Sequence, residues 1–423
     1  MKTLLSLSLF AAAGWASAQA LSLDELLAAA KTGNPMLKEA RAELAATVAR
    51  HSGMRAMAGP MASLSGFATT GNKPGILDSP PPAEPRNFMG IEPGTFVSGS
   101  LMVMAPLFAR ELSQRVGAAR WQVRAAAAEV HEAESEVILM VTERYWATQS
   151  IEQEIAALET QRTAIQELLR TTQARFEVGS TIEASVSRVQ AELSMVERRL
   201  ASARNESAKA ALDLRALIGR PMDTALELAP NPSDAAPTMD VAEWIRIAHA
   251  QRGKLLAAKA RVGASDSELR AARALNQPKL YAVGMADATN RRHMSGVTVG
   301  LSLSFPLYDG GRIRAEISEA RSMQQTAEAQ FEMAKLEVEK EVHQAFLDRQ
   351  TALANMQSAE SSLTSAEASY EVIRLRVEAG KAILLEQLDA LQVLAEARAE
   401  LTRSQFELKV AEAMLRRAAG VSL

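Results

Sequence analysis

The sequence contains no cysteine. That excludes disulfide staples, thiolate metal sites, cysteine nucleophiles and a lipidated N-terminal cysteine. Aromatic residues are scarce: four Trp and four Tyr in 423 residues are too few for a conventional aromatic-rich globular core. An excess of either charge is missing too, since 47 basic and 50 acidic side chains intersperse to a net charge of −3. Without a basic surplus to displace counterions from a phosphate backbone, nucleic acid is not an expected partner. No Ser-His-Asp arrangement, P-loop or dinucleotide fingerprint is visible, so enzymatic chemistry is not expected. Five histidines, His51 and His131 among them, show no ligand spacing, and His131-Glu132 lacks the second His of a zinc-protease motif. No metal site and no cofactor are expected.

The chain opens like an export signal. Lys2 gives a positive start, Leu4 to Trp15 an apolar stretch, and Ala16-Ser17-Ala18 or Ala18-Gln19-Ala20 a small-residue cleavage site. Residues 1–20 are therefore expected to be removed. Beyond them no apolar run approaches the ~18 residues a spanning helix needs. An exported chain of this kind crosses a membrane only with β-strands, which in a closed barrel satisfy their own backbone. Long tracts of Ala, Glu, Arg, Leu and Gln without Pro read instead as long helices or coiled coil.

Laid against itself, the sequence repeats. Pro106-Leu107-Phe108 answers Pro306-Leu307-Tyr308 at an offset of 200, and Arg175-Phe176-Glu177-Val178-Gly179 answers Arg376-Val377-Glu378-Ala379-Gly380 at 201. Gly219 answers Gly420, while Gly59-Pro60 answers Gln277-Pro278 at 218. The larger upstream offset is about one loop, the Pro/Gly-rich stretch Gly71 to Gly94 against the shorter Thr289 to Ser295. The first repeat covers 21–220: an opening helix broken at Asn34-Pro35, strands at 61–70 and 95–105 around an extracellular loop 71–94, a long helix 109–177, a tip 178–181 and a return helix 182–218. A linker spans 221–240. The second repeat covers 241–423, with strands 279–288 and 296–305, a long helix 310–378, a tip 379–382 and a return helix 383–419. At 1.5 Å per residue each long helix reaches about 100 Å, and its apolar residues recur at three- and four-residue spacing for sideways packing.

The last strand is the clearest. Val297, Val299, Leu301, Leu303 and Phe305 alternate with Thr298, Gly300, Ser302 and Ser304, as a barrel strand between lipid and water requires. Val97, Leu101, Val103 and Ala105 alternate similarly with Ser98, Ser100, Met102 and Met104; the two upstream strands alternate poorly. Four strands cannot close a barrel, and open edges are not tolerated in lipid. Two chains give eight strands, largely filled inside, whereas three give twelve and a lumen. The expected fold is thus mixed but mainly α: a two-repeat protomer with four membrane strands and long coiled-coil helices. Three such protomers would form a 12-stranded β-barrel continued on one side by an α-helical barrel.

Specific motifs add to this. Phe305-Pro306-Leu307-Tyr308-Asp309-Gly310-Gly311-Arg312-Ile313-Arg314-Ala315 closely resembles the segment that begins the second long helix in the TolC-like outer membrane efflux protein family, the outer membrane factors. Leu21-Ser22-Leu23-Asp24-Glu25-Leu26-Leu27, running to Gly33-Asn34-Pro35, is similar to that family as well, as are the two tip motifs. The resemblance implies a homotrimer seated in outer-membrane lipid with a large periplasmic portion, the periplasmic α-helical barrel. Its implied partners are a periplasmic adaptor (membrane fusion) protein and an inner-membrane pump, and its implied role is passive conduction in efflux or type I secretion.

Candidate functional residues have two readings each. Pro306, Asp309, Gly310 and Gly311 form the strand-to-helix joint, with Asp309 as an N-cap rather than part of a hairpin turn. Glu386 and Asp389 share one helix face at i and i+3. The resemblance makes them a pore constriction of carboxylate rings; the residues alone equally suit a solvated first turn. Ser185 and Arg188 hold the matching places in the first repeat. At the tips, Gly179, Ser180, Gly380 and Lys381 either turn the chain or, by the resemblance, contact the adaptor. Methionines Met54, Met57, Met61, Met89, Met102 and Met104 crowd the first hairpin, as apolar gap-fillers or as a thioether path for copper(I) or silver. The rival to a channel is a periplasmic coiled-coil adaptor or scaffold, which would carry one helical hairpin rather than two full repeats.

Overall fold

The computed structural model describes residues 20–71, 94–223, 226–229, 239–290 and 295–421. Almost all of the expected signal, all but the ends of the loop expected at 71–94, and Met89 lie outside these residues. The described elements are α1 (Leu23–Gly33), α2 (Pro35–Met57), β1 (Met61–Gly71), β2 (Gly94–Phe108), α3 (Arg110–Glu177), α4 (Glu183–Ile218), α5 (Val241–Gln251), α6 (Gly253–Ala274), β3 (Lys279–Thr289), β4 (Gly296–Ser304), α7 (Arg312–Glu378) and α8 (Leu384–Ala419). They fall into two compact units. One comprises residues up to Ala42, Glu129–Leu255 and Lys335–Leu423; the other comprises Glu43–Ala128 and Leu256–Ala334. Among the described residues no helix is long and apolar enough to cross a membrane.

The first unit is entirely helical packing. Leu158, Ile165 and Leu169 of α3 interlock with Val189, Leu193, Val196 and Leu200 of α4, and Leu388 of α8 closes the same cluster. Farther along, α8 meets α7 through Leu394 and Ala397 on Ala366, and again through Leu408 and Ala411 on Ala352. The small residues let the helices run close side by side. Ser22 and Glu25 cap α1 reciprocally: the Glu25 amide donates to Ser22 Oγ at 3.3 Å and the Ser22 amide to Glu25 Oε2 at 2.8 Å. Leu23, Leu26, Leu27 and Ala30 then seat α1 on Val137, Val141 and Tyr145 of α3. Part of the expected linker is tied down here. Leu21 forms a parallel bridge with Leu228, and the Ala229 carbonyl accepts from the Tyr145 hydroxyl.

At the breaks between α1 and α2 and between α5 and α6, the two repeats solve one problem with different chemistry. Buried Asn34 donates through Nδ2 to the Leu217 carbonyl at 2.7 Å, and its Oδ1 accepts the Met36 amide at 2.8 Å. One amide side chain thereby ties down the end of α4 and caps α2. Arg252, only 1% exposed, holds the matching place. Its guanidinium donates to the Arg417 carbonyl at the end of α8, but a guanidinium accepts nothing. Glu132 of α3 supplies the missing acceptor, taking the Lys254 amide at 3.1 Å while pairing with Arg252 at 3.1 Å. Glu341 pairs with Arg252 at 2.8 Å, and Arg417 binds Glu136 at 2.6 Å. Burial lowers the affinity of Arg252 for its proton, and Glu132 opposes that shift. Close approach at the neighbouring position explains the Gly219/Gly420 repeat. Gly219 sits at φ 69°, and a Cβ there would lie 2.4 Å from the Gly33 carbonyl oxygen.

The second unit carries one antiparallel sheet in the order β1-β2-β3-β4, so the repeats join along β2–β3. β2 continues past the Ala105 boundary the sequence suggests. Pro106 still faces Tyr281, and the register shifts before Phe108 meets Leu280, a bulge where the imino nitrogen has no ladder proton to give. Beside the sheet, Glu111 pairs with Lys279 and with Arg115, the latter at 2.9 Å.

Replacing Arg252 by Met removes the buried one of the two cations shared by Glu132 and Glu341, leaving Arg417 at 3.5 and 3.3 Å from them. Thermal unfolding followed by circular dichroism is expected to show a loss of about 3–5 kcal/mol at neutral pH, as for a buried pair broken on one side. The loss should shrink on acidification, because protonation relieves the carboxylates that then share Arg417 alone. A loss equal at neutral and acidic pH would assign the cost to packing alone.

Candidate functional site: sheet faces, helix joint and hairpin tips

The ladders sort the strand residues into two faces. Leu64, Leu101, Ala286 and Val297 form one cross-strand row, and Ala62, Val103, Gly284 and Val299 the next. Val299 is 82% exposed and Leu301 70%, so this face presents aliphatic surface outward along β4. The opposite face carries the row Ser65, Ser100, Asp287 and Gly296, then Ser63, Met102, Met285 and Thr298. The Ser65 and Ser100 hydroxyls bond at 2.7 Å. The first face is mainly aliphatic; the second mixes hydroxyls and Asp287 with methionines, Val283, Phe67 and Phe96. Among the described residues, β1 and β4 pair on one side only.

The strand-to-helix joint is a double clasp. Asp309 lies ahead of the first turn of α7 rather than at its N-cap position. Its Oδ1 accepts the Gly311 amide at 2.9 Å and its Oδ2 the Ile313 amide at 2.7 Å. Those bonds hold its carboxyl below its ordinary pKa, the Ile313 amide most strongly. Gly310 and Gly311 both take positive φ, at 67° and 90°, which lets the chain fold back under the carboxylate. Pro306 precedes the joint in extended chain.

The two tips share one geometry. Gly179 at φ 74° donates to the Phe176 carbonyl at 2.9 Å, and the Ser180 amide to the Arg175 carbonyl at 2.7 Å. Gly380 at φ 71° donates to Val377 at 3.1 Å, and the Lys381 amide to Arg376 at 2.8 Å. This is the Schellman closure of a helix. Gly179, Ser180, Gly380 and Lys381 are all exposed. So are three apolar side chains that sequence reasoning passed over, Val178, Ile182 and Ile383. Their signal was a β-branched residue next to each turn.

The azimuth of α8 follows from its two packed faces. Leu384, Leu388 and Leu391 point at the α3–α4 cluster, and Leu394 and Ala397 pack on Ala366 of α7. With about 3.6 residues per turn, a third face remains. It carries Glu386, Asp389, Val393 and Glu396, all exposed. The structure thus brings Glu386 and Asp389 together on one outward face. At the matching places of α4, Ser185 is half-buried and Arg188 exposed.

Comparison with known proteins decides the family. The family model described as "Outer membrane efflux protein" matches residues 26–220 and again 244–421, one match per repeat. The chain belongs to the outer membrane efflux protein family. The alkaline protease secretion protein AprF of Pseudomonas aeruginosa is 24% identical over 76% of this chain and 69% of its own length. The outer membrane protein TolC of Vibrio cholerae is 24% identical over 74% of this chain and 75% of its own. Among solved structures, the outer membrane protein VceC of Vibrio cholerae superposes with a TM-score of 0.79 at 18% identity, covering 95% of this chain and 96% of that one. The fold is that of the TolC-like channels, in which a small antiparallel strand set per chain accompanies long helices.

The Asp309 clasp holds the turn from β4 into α7 through the Gly311 and Ile313 amides. The stability that Asp309 contributes is present above the ordinary carboxylate pKa of about 4 and is lost as the pH falls through its lowered value. The melting difference between wild type and Asp309→Ala should therefore be full at neutral pH and close in acid. A difference constant across that range would deny Asp309 the clasp.

Proposed function

We propose that this chain is one subunit of a homotrimeric outer-membrane channel, the exit duct of an efflux or type I secretion system. The observation that carries the proposal is the open four-stranded sheet with an exposed aliphatic face, in a chain whose two repeats both match the outer membrane efflux family. Three copies supply twelve strands, with the aliphatic face toward lipid and the Ser, Thr and Asp287 face toward a lumen. The long helices then wall the periplasmic part.

Conduction is passive and without catalysis; energy enters through an inner-membrane pump, joined by a periplasmic adaptor. The exposed tips with Gly179, Ser180, Gly380 and Lys381 are the adaptor's contact, and Val178, Ile182 and Ile383 give that contact apolar surface. Glu386 and Asp389 form the pore constriction. Three copies make two carboxylate rings, which attract cations and resist anions. The first-repeat positions, Ser185 and Arg188, add no acid, so each ring carries one carboxylate per subunit.

Single-channel recording in a planar bilayer tests this. Wild type should show small, cation-selective openings, and Glu386→Gln/Asp389→Asn should lose the selectivity. Unchanged selectivity would leave a channel and return those carboxylates to a solvated helix face. Failure of folded protein to insert would favour the periplasmic scaffold.

A further inference from the structure

The sheet register gathers methionines that the sequence scatters. Met61 of β1 stands directly opposite Met104 of β2, and Met102 of β2 directly opposite Met285 of β3. All four lie on one face, because Met102 and Met104 are two residues apart and each pairs within that face. Cross-strand partners have Cβ atoms about 4.5–5.5 Å apart, and residues two apart along a strand lie about 7 Å apart. Four flexible thioethers therefore share one patch. Met285 is the member the hairpin sequence hid, since it comes from the other repeat.

This face is mixed in character and gives the methionines polar as well as apolar neighbours. Gap-filling places a thioether in an apolar interior. Here Met61 is 50% exposed, and Met102, Met104 and Met285 are only half-buried. Their neighbours on the face are Ser63, Ser65, Ser100, Asp287 and Thr298, together with Val283 opposite Met104 and Tyr281 opposite Pro106. The aliphatic face, by contrast, holds no methionine along its three inner rows: Leu64, Leu101 and Val297; Ala62, Val103 and Val299; Ala105, Ala282 and Leu301. Methionine is therefore confined to one face of the sheet.

We propose that Met61, Met102, Met104 and Met285 form a thioether site for a soft monovalent cation, copper(I) or silver(I). Thioethers select such ions over the harder divalent metals. They need no deprotonation, and they do not pair into disulfides in an oxidising compartment, where a cysteine site in a chain of this class would be lost. Asp287, two residues beyond Met285 on the same face, adds a negative charge that favours cation approach. That the patch faces a lumen rests on the channel reading above; that it binds the ion does not.

Silver(I) is the probe, since it does not change oxidation state in buffer. The full-length protein in detergent is titrated calorimetrically with silver, then recorded in a bilayer with silver added. Wild type should bind silver at least tenfold more tightly than Met102→Leu/Met104→Leu, with X-ray absorption showing sulfur ligands only. Leucine conserves volume and apolarity, and Met285→Leu alone provides a milder second variant, expected to weaken binding as well. Met54→Leu/Met57→Leu, in α2, should bind like wild type. Equal silver affinity in wild type and Met102→Leu/Met104→Leu, or a loss seen only with Met54→Leu/Met57→Leu, overturns the site. Silver binding by protein that never conducts supports the site and contradicts the channel; conduction without silver binding does the reverse.

Discussion

A β-sheet in hydrocarbon must pair every backbone amide and carbonyl, because no water is there to do it. That constraint governs the rest of this molecule. The sheet has four strands, with β1 and β4 each paired on one side. Its aliphatic rows, from Leu64 to Val297 and from Ala62 to Val299, suit lipid, yet a single copy leaves two rows of polar groups without partners. Repetition within the chain doubles a two-stranded hairpin to four strands. Repetition between chains closes the barrel in the proposed trimer. Side-chain chemistry then differs between the faces, with mainly aliphatic and small groups on one and hydroxyls, Asp287 and the methionines, interleaved with Phe67, Phe96 and Val283, on the other.

Duplication also allows the copies to diverge wherever geometry can be kept. Asn34 both donates to the end of α4 and caps α2. At the second repeat's break Arg252 does the first of these jobs and Glu132, reaching over from α3 of the first repeat, the second, with Glu341 and Arg417 drawn into one ionic cluster around the buried Arg252. The tips keep their backbone closure while their side chains differ, Ser180 against Lys381. The helices just beyond differ more, Ser185 and Arg188 against Glu386 and Asp389. Divergence of that kind lets one protomer present two unlike surfaces on one scaffold, the condition for carboxylates contributed by a single repeat.

The family and the fold class were legible in the sequence, because the motif from Phe305 to Ala315 and the alternation from Val297 to Phe305 each carry a local physical rule. β1 and β3 were harder to see. On their aliphatic sides stand Ala62, Gly66 and Ala68, and Ala282, Gly284, Ala286 and Ala288, so small size hides the alternation that polarity would reveal. Asp309 was recognisable as a capping residue, but its clasp over Gly310 and Gly311 depends on two positive-φ residues that no periodicity encodes. The Arg252 cluster was invisible, since its partners come from α3, α7 and α8. Pairing of Met102 with Met285 was equally hidden, because register between repeats is a property of the sheet and not of either hairpin.

The most direct test of the account is the mass of the protein extracted from the outer membrane and measured by native mass spectrometry in detergent. Closure of the four-stranded sheet through threefold association predicts a particle of three chains that stays intact until its barrel unfolds. A folded, membrane-extracted particle of one chain would contradict the account, because the unpaired edges of β1 and β4 would then be facing lipid.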